Sequence, residues 1–259
     1  MLKKALRSIA IAALPALAIA VPAGAWAAEA EAKAILKAMS DYMAAQQNFT
    51  IDYDTGLEVV TTDKQKIQLA SSGSIAVSRP DKMRVRRTGG FADVEFIFDG
   101  KMLTVHGMHS NVYVQAEMPG TIYQLIDGLR EKFHKPLPGA DLLVENVNDV
   151  LMEGVTEVKD LGAGVINGKV CDHLAFRTPE LDFQIWVAEG SEPVPCRYVI
   201  TSTKVDMAPQ FTLDIRKFTP GGTADVTFVP SADAKKIDAQ DLKAMAGLGD
   251  LPEHFKLGE

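Results

Sequence analysis

His106 and His109 stand three residues apart, beside Met108, in the stretch "FIFDGKMLTVHGMHSNVYVQ" at residues 96–115. Two imidazoles at this spacing can share a metal ion or work as acid and base when a helix aims them together. Here Val105 closes one expected strand and Val112 opens the next, so "HGMHSN" reads as their connection. Gly107, Ser110 and Asn111 are turn formers. A turn lacks the frame that would bring both rings to one ion, and no neighbouring carboxylate or cysteine completes a coordination set. A solvated turn is expected, with no metal. The remaining chemical inventory is equally thin. There is no G-x-S-x-G elbow, no H-E-x-x-H and no G-x-G-x-x-G after a strand. Gly164 and Gly168-Lys169 fail as a phosphate loop on spacing, and Val170 occupies the position that needs Ser or Thr. Asp172 and His173 are neighbours in an expected strand and point to opposite faces, so they cannot act as an acid/base couple. His134 ends an expected helix, where positive charge is mildly favourable, and His254 lies in the tail. No catalytic residue and no cofactor is expected.

With no chemistry at hand, location and architecture carry the reading. Lys3, Lys4 and Arg7 precede the apolar run "IAIAALPALAIAV", and Ala25-Trp26-Ala27 forms an A-x-A cleavage pattern ahead of Ala28. Residues 1–27 are expected to be a secretory signal peptide. The run is shorter than the roughly 18 to 20 apolar residues of a membrane span, and no cysteine follows the cleavage site to take a lipid anchor. A soluble periplasmic product is expected, not membrane-spanning once the signal is removed. Loss of the three cations takes the net charge from -7 to -10, which disfavours nucleic acid and anionic membrane as partners.

The elements follow from periodicity. Ile35, Leu36, Met39, Tyr42 and Met43 form a helical stripe within residues 29–47. "SGSIAVSRP", "KMRVRRT", "DVEFIF", "KMLTV" and "NVYVQ" read as an antiparallel meander. Asp99-Gly100 suits a two-residue hairpin, pairing Phe98 with Lys101, Phe96 with Leu103 and Val94 with Val105 on one apolar face. A second stripe, Ile122, Leu125, Ile126, Leu129 and Phe133, begins near Pro119 and Thr121. A third, Leu142, Leu143, Val147, Val150 and Leu151, completes a helical hairpin that could plug a curved sheet or act as a lid. Strands then resume: "GAGVINGKVCDHLAFRT" around an Asn167-Gly168 turn, "DFQIWVA", "CRYVITST", "FTLDIRKF" and "ADVTFV". The last thirty residues hold one weak helix, Ala239 to Ala246, and a polar tail.

Two cysteines, Cys171 and Cys196, are too few for a disulfide scaffold but could form one bridge in an oxidising compartment. On a flat sheet with one strand between them, their Cα atoms would stand roughly 9 to 10 Å apart, beyond the roughly 7 Å limit for a bridge. Geometry argues against the bond and compartment argues for it. Pro193 and Pro195 could hold Cys196 out of regular pairing, so that it bends toward Cys171.

The leading helix, "RPDKMRVRR", "FDGKMLTVHGMHSNVYVQ", the helical insertion and "CDHLAFR…DFQIWV…PVPCRYVI" together resemble a bacterial periplasmic family, domain of unknown function 2092. That family is similar in architecture to the periplasmic lipoprotein carrier and its outer-membrane receptor. The shared motifs are Arg79, Pro80, Met83 and Arg84, and the hairpin from Asp99 to Lys101. The resemblance implies an α+β fold over residues 28–230: an unclosed antiparallel half-barrel of about ten strands covered by amphipathic helices, followed by a C-terminal helix and tail at 231–259. It also implies that Arg79 helps fasten the helical lid to the barrel.

A half-barrel needs apolar volume beyond its own side chains, which helices or a ligand must supply. The expected cavity walls are Val94, Phe96, Phe98, Leu103 and Val105 on the sheet and Ile122, Leu125, Ile126 and Leu129 on the covering helix. An exported carrier of a lipid or acylated cargo is expected. A non-enzymatic structural or protein-interaction module of the envelope, with a filled core, is the alternative.

Overall fold

The computed structural model of the chain describes residues 23–90, 93–133 and 137–238. Helix α1 (Ala23–Ala45) leads into strands β1 (Asn48–Val60), β2 (Lys66–Ser78), β3 (Lys82–Gly89), β4 (Asp93–Phe98), β5 (Met102–Gly107) and β6 (Val112–Glu117). Helix α2 (Ile122–Phe133), a 3₁₀ turn (Ala140–Leu142) and helix α3 (Val147–Met152) follow. Strands β7 (Glu157–Ile166), β8 (Lys169–Arg177), β9 (Asp182–Ala188), β10 (Pro195–Thr201), β11 (Gln210–Pro220) and β12 (Lys235–Lys236) complete the described chain.

All 12 strands belong to one unclosed sheet in the order β12-β6-β5-β4-β3-β2-β1-β11-β10-β9-β8-β7. Every pairing is antiparallel except that of β12 with β6. Two meanders therefore meet along one seam, where β1 pairs β11 from Phe49↔Pro220 to Leu57↔Phe211. The fold is sheet-dominated with few helices, and its strand number exceeds the expected ten or so. Two strands escaped the sequence reading: β1, whose glycine and acidic residues blur its alternation, and the two-residue β12.

The segment "ADVTFV" is the converse case, alternating like a strand without pairing as one. It crosses the face of the sheet instead of lying along an edge, so side chains take its backbone groups. Ser78 Oγ accepts from the Ala224 amide at 2.8 Å, and Arg84 Nη1 donates to the carbonyls of Asp225 and Thr227 at 3.1 and 3.4 Å. The expected helix at Ala239 to Ala246 and most of the expected signal peptide lie outside the described residues.

The covering elements form where the stripes demand. In α1, Ala32, Leu36, Met39 and Met43 recur at offsets of three and four and are fully buried, against β7 and α3. Buried Ser40 on the same helix is satisfied by donating to the Leu36 carbonyl at 2.8 Å. Helix α2 starts with a reciprocal capping box: Thr121 Oγ1 accepts from the Gln124 amide, and Gln124 Oε1 accepts from the Thr121 amide.

The β4–β5 hairpin keeps the expected apolar face but not the expected register. Phe98 pairs Leu103, and Phe96 pairs Val105. The Asp99 carboxylate accepts from the amides of both Lys101 and Met102, at 2.9 and 2.7 Å. Those two residues are thereby drawn into the turn, and the pairing shifts by two. Because side chains alternate with period two, a shift of two leaves the same residues on the same face.

Gly73 in β2 marks a place where the sheet tolerates no side chain. A Cβ there would stand 2.2 Å from the Arg86 carbonyl oxygen and 2.4 Å from the Tyr53 ring. The Tyr53 phenol lies across the glycine and donates to the Arg86 carbonyl at 3.2 Å, and burial pushes its pKa up to about 12. Gly73→Ala is expected to cost roughly 1 to 3 kcal/mol through overpacking against backbone, read as a lower urea midpoint at unchanged slope. An unaltered midpoint would contradict this close approach.

Candidate functional site

The nine residues expected to wall a cavity lie in the packed core. Val94, Phe98, Leu103, Val105, Ile122, Leu125 and Ile126 are buried, and Phe96 and Leu129 pack against them half-buried. The open volume lies elsewhere. A cavity of about 850 Å³ separates the ends of β1, β9, β10 and β11 from the α2–α3 segment, and none of the nine lines it.

Its apolar wall is built from four regions of sequence: Leu57 of β1; Leu137, Val150 and Leu151 of the covering segment; Leu181, Phe183, Tyr198 and Ile200 around β9 and β10; and Phe211 of β11. Leu57, Leu137, Val150, Leu181, Ile200 and Phe211 are all only half-buried. Half-exposed apolar side chains converging on one concavity are the usual lining of a binding site for an apolar molecule. The floor is rigid: Phe183 stacks on Phe176 at 4.6 Å and meets Tyr198 edge-on at 5.8 Å.

Polar groups at this cavity are mostly engaged. Arg130 of α2 is hydrogen-bonded to Asp141 of the 3₁₀ turn, which ties the two covering pieces together. Glu58 accepts from the Gln210 amide at 2.9 Å and from Lys66 Nζ at 3.2 Å. Tyr198 is buried, and desolvation, reinforced by the charge of Asp141, holds its phenol well above the ordinary range. It stays neutral at any physiological pH. Sequence periodicity could not find this lining. Each of its residues is an ordinary alternating strand or stripe position, and only the turn residues Pro138, Pro179 and Pro209 among them hint at a rim.

Arg79 sits at the junction of sheet and covering segments. Its Nε donates to the Gln46 carbonyl just past α1 at 3.1 Å, its amide donates to the Gln47 carbonyl at 2.8 Å, and its guanidinium lies 5.5 Å over the Phe49 ring. The next residue, Pro80, accepts from the Ile122 amide at the start of α2 at 2.9 Å. Burial lowers the Arg79 pKa, opposed by the charge of Glu145. A second cavity, of about 270 Å³, opens beside it, between Pro80, Thr121, Ile122, Tyr123 and residues 144–146.

The two histidines part company. His106 lies within β5 rather than on the turn, opposite Glu95 and Tyr113. Its ring packs edge-on against Phe228 at 5.4 Å and its Nε2 is 3.4 Å from Asn111 Oδ1. The strand runs two residues further than expected because the Met108 amide still finds the Asp93 carbonyl, at 2.9 Å. His109 is exposed on the turn. Among the described residues no cluster of three or more His, Cys, Asp or Glu could hold a metal ion. His173 stacks on Trp186 at 3.9 Å and contacts Gln184 Oε1 at 2.8 Å.

Cys171 and Cys196 are joined by a disulfide, with Cα atoms 6.8 Å apart, well short of the flat-sheet spacing. The register of β10 on β9 shifts between Pro195 and Arg197, making Cys196 an extra, bulged residue. A bulge bends its strand locally, and this one brings Cys196 to Cys171 across β9.

The chain belongs to the family DUF2092 of predicted periplasmic proteins, whose model matches residues 32–240. A comparison with curated protein sequences found no match. Among solved structures the chain is similar to the Mycobacterium tuberculosis lipoprotein LppX, at 15% identity and a TM-score of 0.42 over 76% of this chain and 100% of that one. It is similar also to LprF from Mycobacterium bovis, at 12% and 0.44 over 78% and 98%. A LolA superfamily protein from Nitrosomonas europaea matches at 11% and 0.38 over 76% and 97%.

Two expectations follow from this geometry. Replacing both cysteines by alanine should lower stability by about 3 kcal/mol, since the bond closes a loop of 25 residues; an oxidised native protein no more stable than the double variant would contradict it. Zinc and copper should bind the protein no better than a variant with His106 and His109 both changed to Ala. A calorimetric titration revealing a micromolar site lost in that variant would show the rings to cooperate.

Proposed function

We propose that this periplasmic protein is a binding protein, not an enzyme, that takes an acyl chain or similar hydrophobic molecule into the 850 Å³ cavity between sheet and covering helices. The observation that carries the reading is that cavity itself. Its size falls in the range of small-molecule sites, about 300 to 1,000 Å³, and its walls are largely apolar. The half-exposed leucines, Ile200 and Phe211 gain by exchanging water for hydrocarbon, at roughly 25 cal/mol per Å². The engaged ion pairs at the mouth leave few groups to hold a specific polar head. Acyl length and apolar volume, rather than head-group chemistry, should therefore dominate selection here. A lipid or an acylated cargo fits this role, and the half-barrel with its helical cover is the carrier-like architecture that would serve it.

The test compares two sets of substitutions. Leu103→Ala, in the packed core, should cost roughly 2 to 5 kcal/mol of stability and leave uptake of a fluorescent fatty acyl probe intact. Ile200→Ala and Phe211→Ala, at the cavity, should cost less stability and weaken uptake on the order of tenfold, equivalent to about 1.4 kcal/mol. Native mass spectrometry with organic extraction of protein taken from its own periplasm should reveal a bound lipid. No extracted lipid together with no uptake of the probe would discard the carrier reading, leaving a filled-core module that engages an envelope protein.

A further inference from the structure

Two tyrosines among the described residues are buried in the core, and their hydroxyls fare differently. The Tyr53 phenol donates to the Arg86 carbonyl at 3.2 Å. Tyr198 is only 3% exposed, yet no described residue hydrogen-bonds its hydroxyl. Nor is that hydroxyl sealed off in the packing, as the unpartnered Arg79 Nη2 is. The open volume that Tyr198 lines is the large cavity. A phenol taken out of bulk water and left without an acceptor is unfavourable, and the deficit is made good when a guest supplies the acceptor.

The position of this hydroxyl narrows what the acceptor can be. Tyr198 lies two residues before Ile200 on β10, roughly 7 Å further from the strand end at the spacing of a β-strand. Phe183, Leu181, Ile200 and Phe211 make the apolar wall beside it. Arg130 and Asp141, which line the same cavity, are near enough for their charges to act on the phenol, but they are bonded to one another and not to its hydroxyl. Burial, reinforced by Asp141, keeps the phenol protonated, so a proton is there to give. An anion at this depth would face the Asp141 carboxylate, and the cation that lines the cavity among the described residues, Arg130, is already paired. A carbonyl brings an acceptor without a charge to desolvate.

We propose that the Tyr198 hydroxyl donates a hydrogen bond to an uncharged carbonyl of the guest, the ester or amide group that joins an acyl chain to the rest of a lipid. The inference rests on the reading of this cavity as an acyl site and narrows its substrate class. The guest is an ester- or amide-linked acyl chain, not a free fatty acid or a plain hydrocarbon. Tyr198 reads the linkage and leaves the head group unread, in keeping with a mouth whose ion pairs are already engaged. One placed polar contact in a largely apolar cavity fixes the depth and orientation of the chain.

The experiment compares the mature exported protein with its Tyr198→Phe variant, which loses one oxygen and keeps the ring against Phe183. Methyl laurate, laurate and tridecane each compete with a pyrene-labelled alkane for the cavity. Methyl laurate should bind the variant about fivefold more weakly, the worth of one neutral hydrogen bond, while tridecane, laurate and the alkane probe bind both proteins alike. The Tm of the unliganded variant should not fall, because no bond within the protein is lost. The infrared stretch of an isotope-labelled ester carbonyl should lie at lower frequency when bound to wild type than to the variant. Methyl laurate binding both proteins equally, a loss as large for tridecane, or a larger loss for laurate would each overturn the inference and leave the acyl site standing. Wild type that takes up neither the alkane probe nor the ester would instead remove the acyl site itself, and this inference with it.

Discussion

A sheet that does not close must have its apolar face covered by something other than itself. With twelve strands in one open sheet, that face is long, and among the described residues α1 and the α2–α3 segment cover it. The β1–β11 seam joins the meander before the helical insertion to the one after it. Both meanders thereby present their alternate residues to one shared interior, and the buried stripe of α1 joins them in a single core. Cover that is short for the sheet it serves leaves part of the interior open. The cavity at the ends of β1, β9, β10 and β11 is that remainder.

The two sides of the cavity are built by different means. On the sheet side, the aromatic series Phe176, Phe183 and Tyr198 is stacked and buried. On the covering side, the 3₁₀ turn and the six-residue α3 are too short to be stable helices without tertiary contacts. Those contacts are supplied by Leu142, Leu143, Val144, Val147 and Leu151, all buried in the core, by the Arg130–Asp141 pair and by packing against α1.

The opposite face of the sheet is managed by different means. Glu95 and Thr104 are buried there, beneath the extended segment that carries Asp225 to Phe228. Arg84 bridges the two, bonding Glu95 at 2.7 Å while holding the carbonyls of Asp225 and Thr227. Phe228 covers His106 and Tyr113. Further along, the disulfide, Ile166 and the packed Trp186 and Ala188 form a second, smaller cluster. Crosslinking β8 to β10 across β9 ties together the strands at the end of the open sheet that β7 closes off among the described residues.

Local pattern determined much of this protein by itself. The helical stripes of α1 and α2, the capping box at Thr121, the alternation of Phe183, Ile185 and Val187, and the shared face of Val94, Phe96, Phe98, Leu103 and Val105 all follow from period and propensity. Each depends on residues a few positions apart, and each needs no partner to be read. Tertiary structure decided the rest. "ADVTFV" lies across the face of the sheet, where Arg84 and Ser78, far away in sequence, take its backbone groups in place of a partner strand. The Cys171–Cys196 distance turned on one bulge. Most of all, sequence cannot separate a residue that fills a core from one that faces an empty volume. Leu103 and Ile200 are both apolar alternating positions, and only the reach of the covering helices leaves one packed and the other open. That reach is a sum over distant parts of the chain, which is why the candidate site was legible as a kind of surface and not as a set of residues.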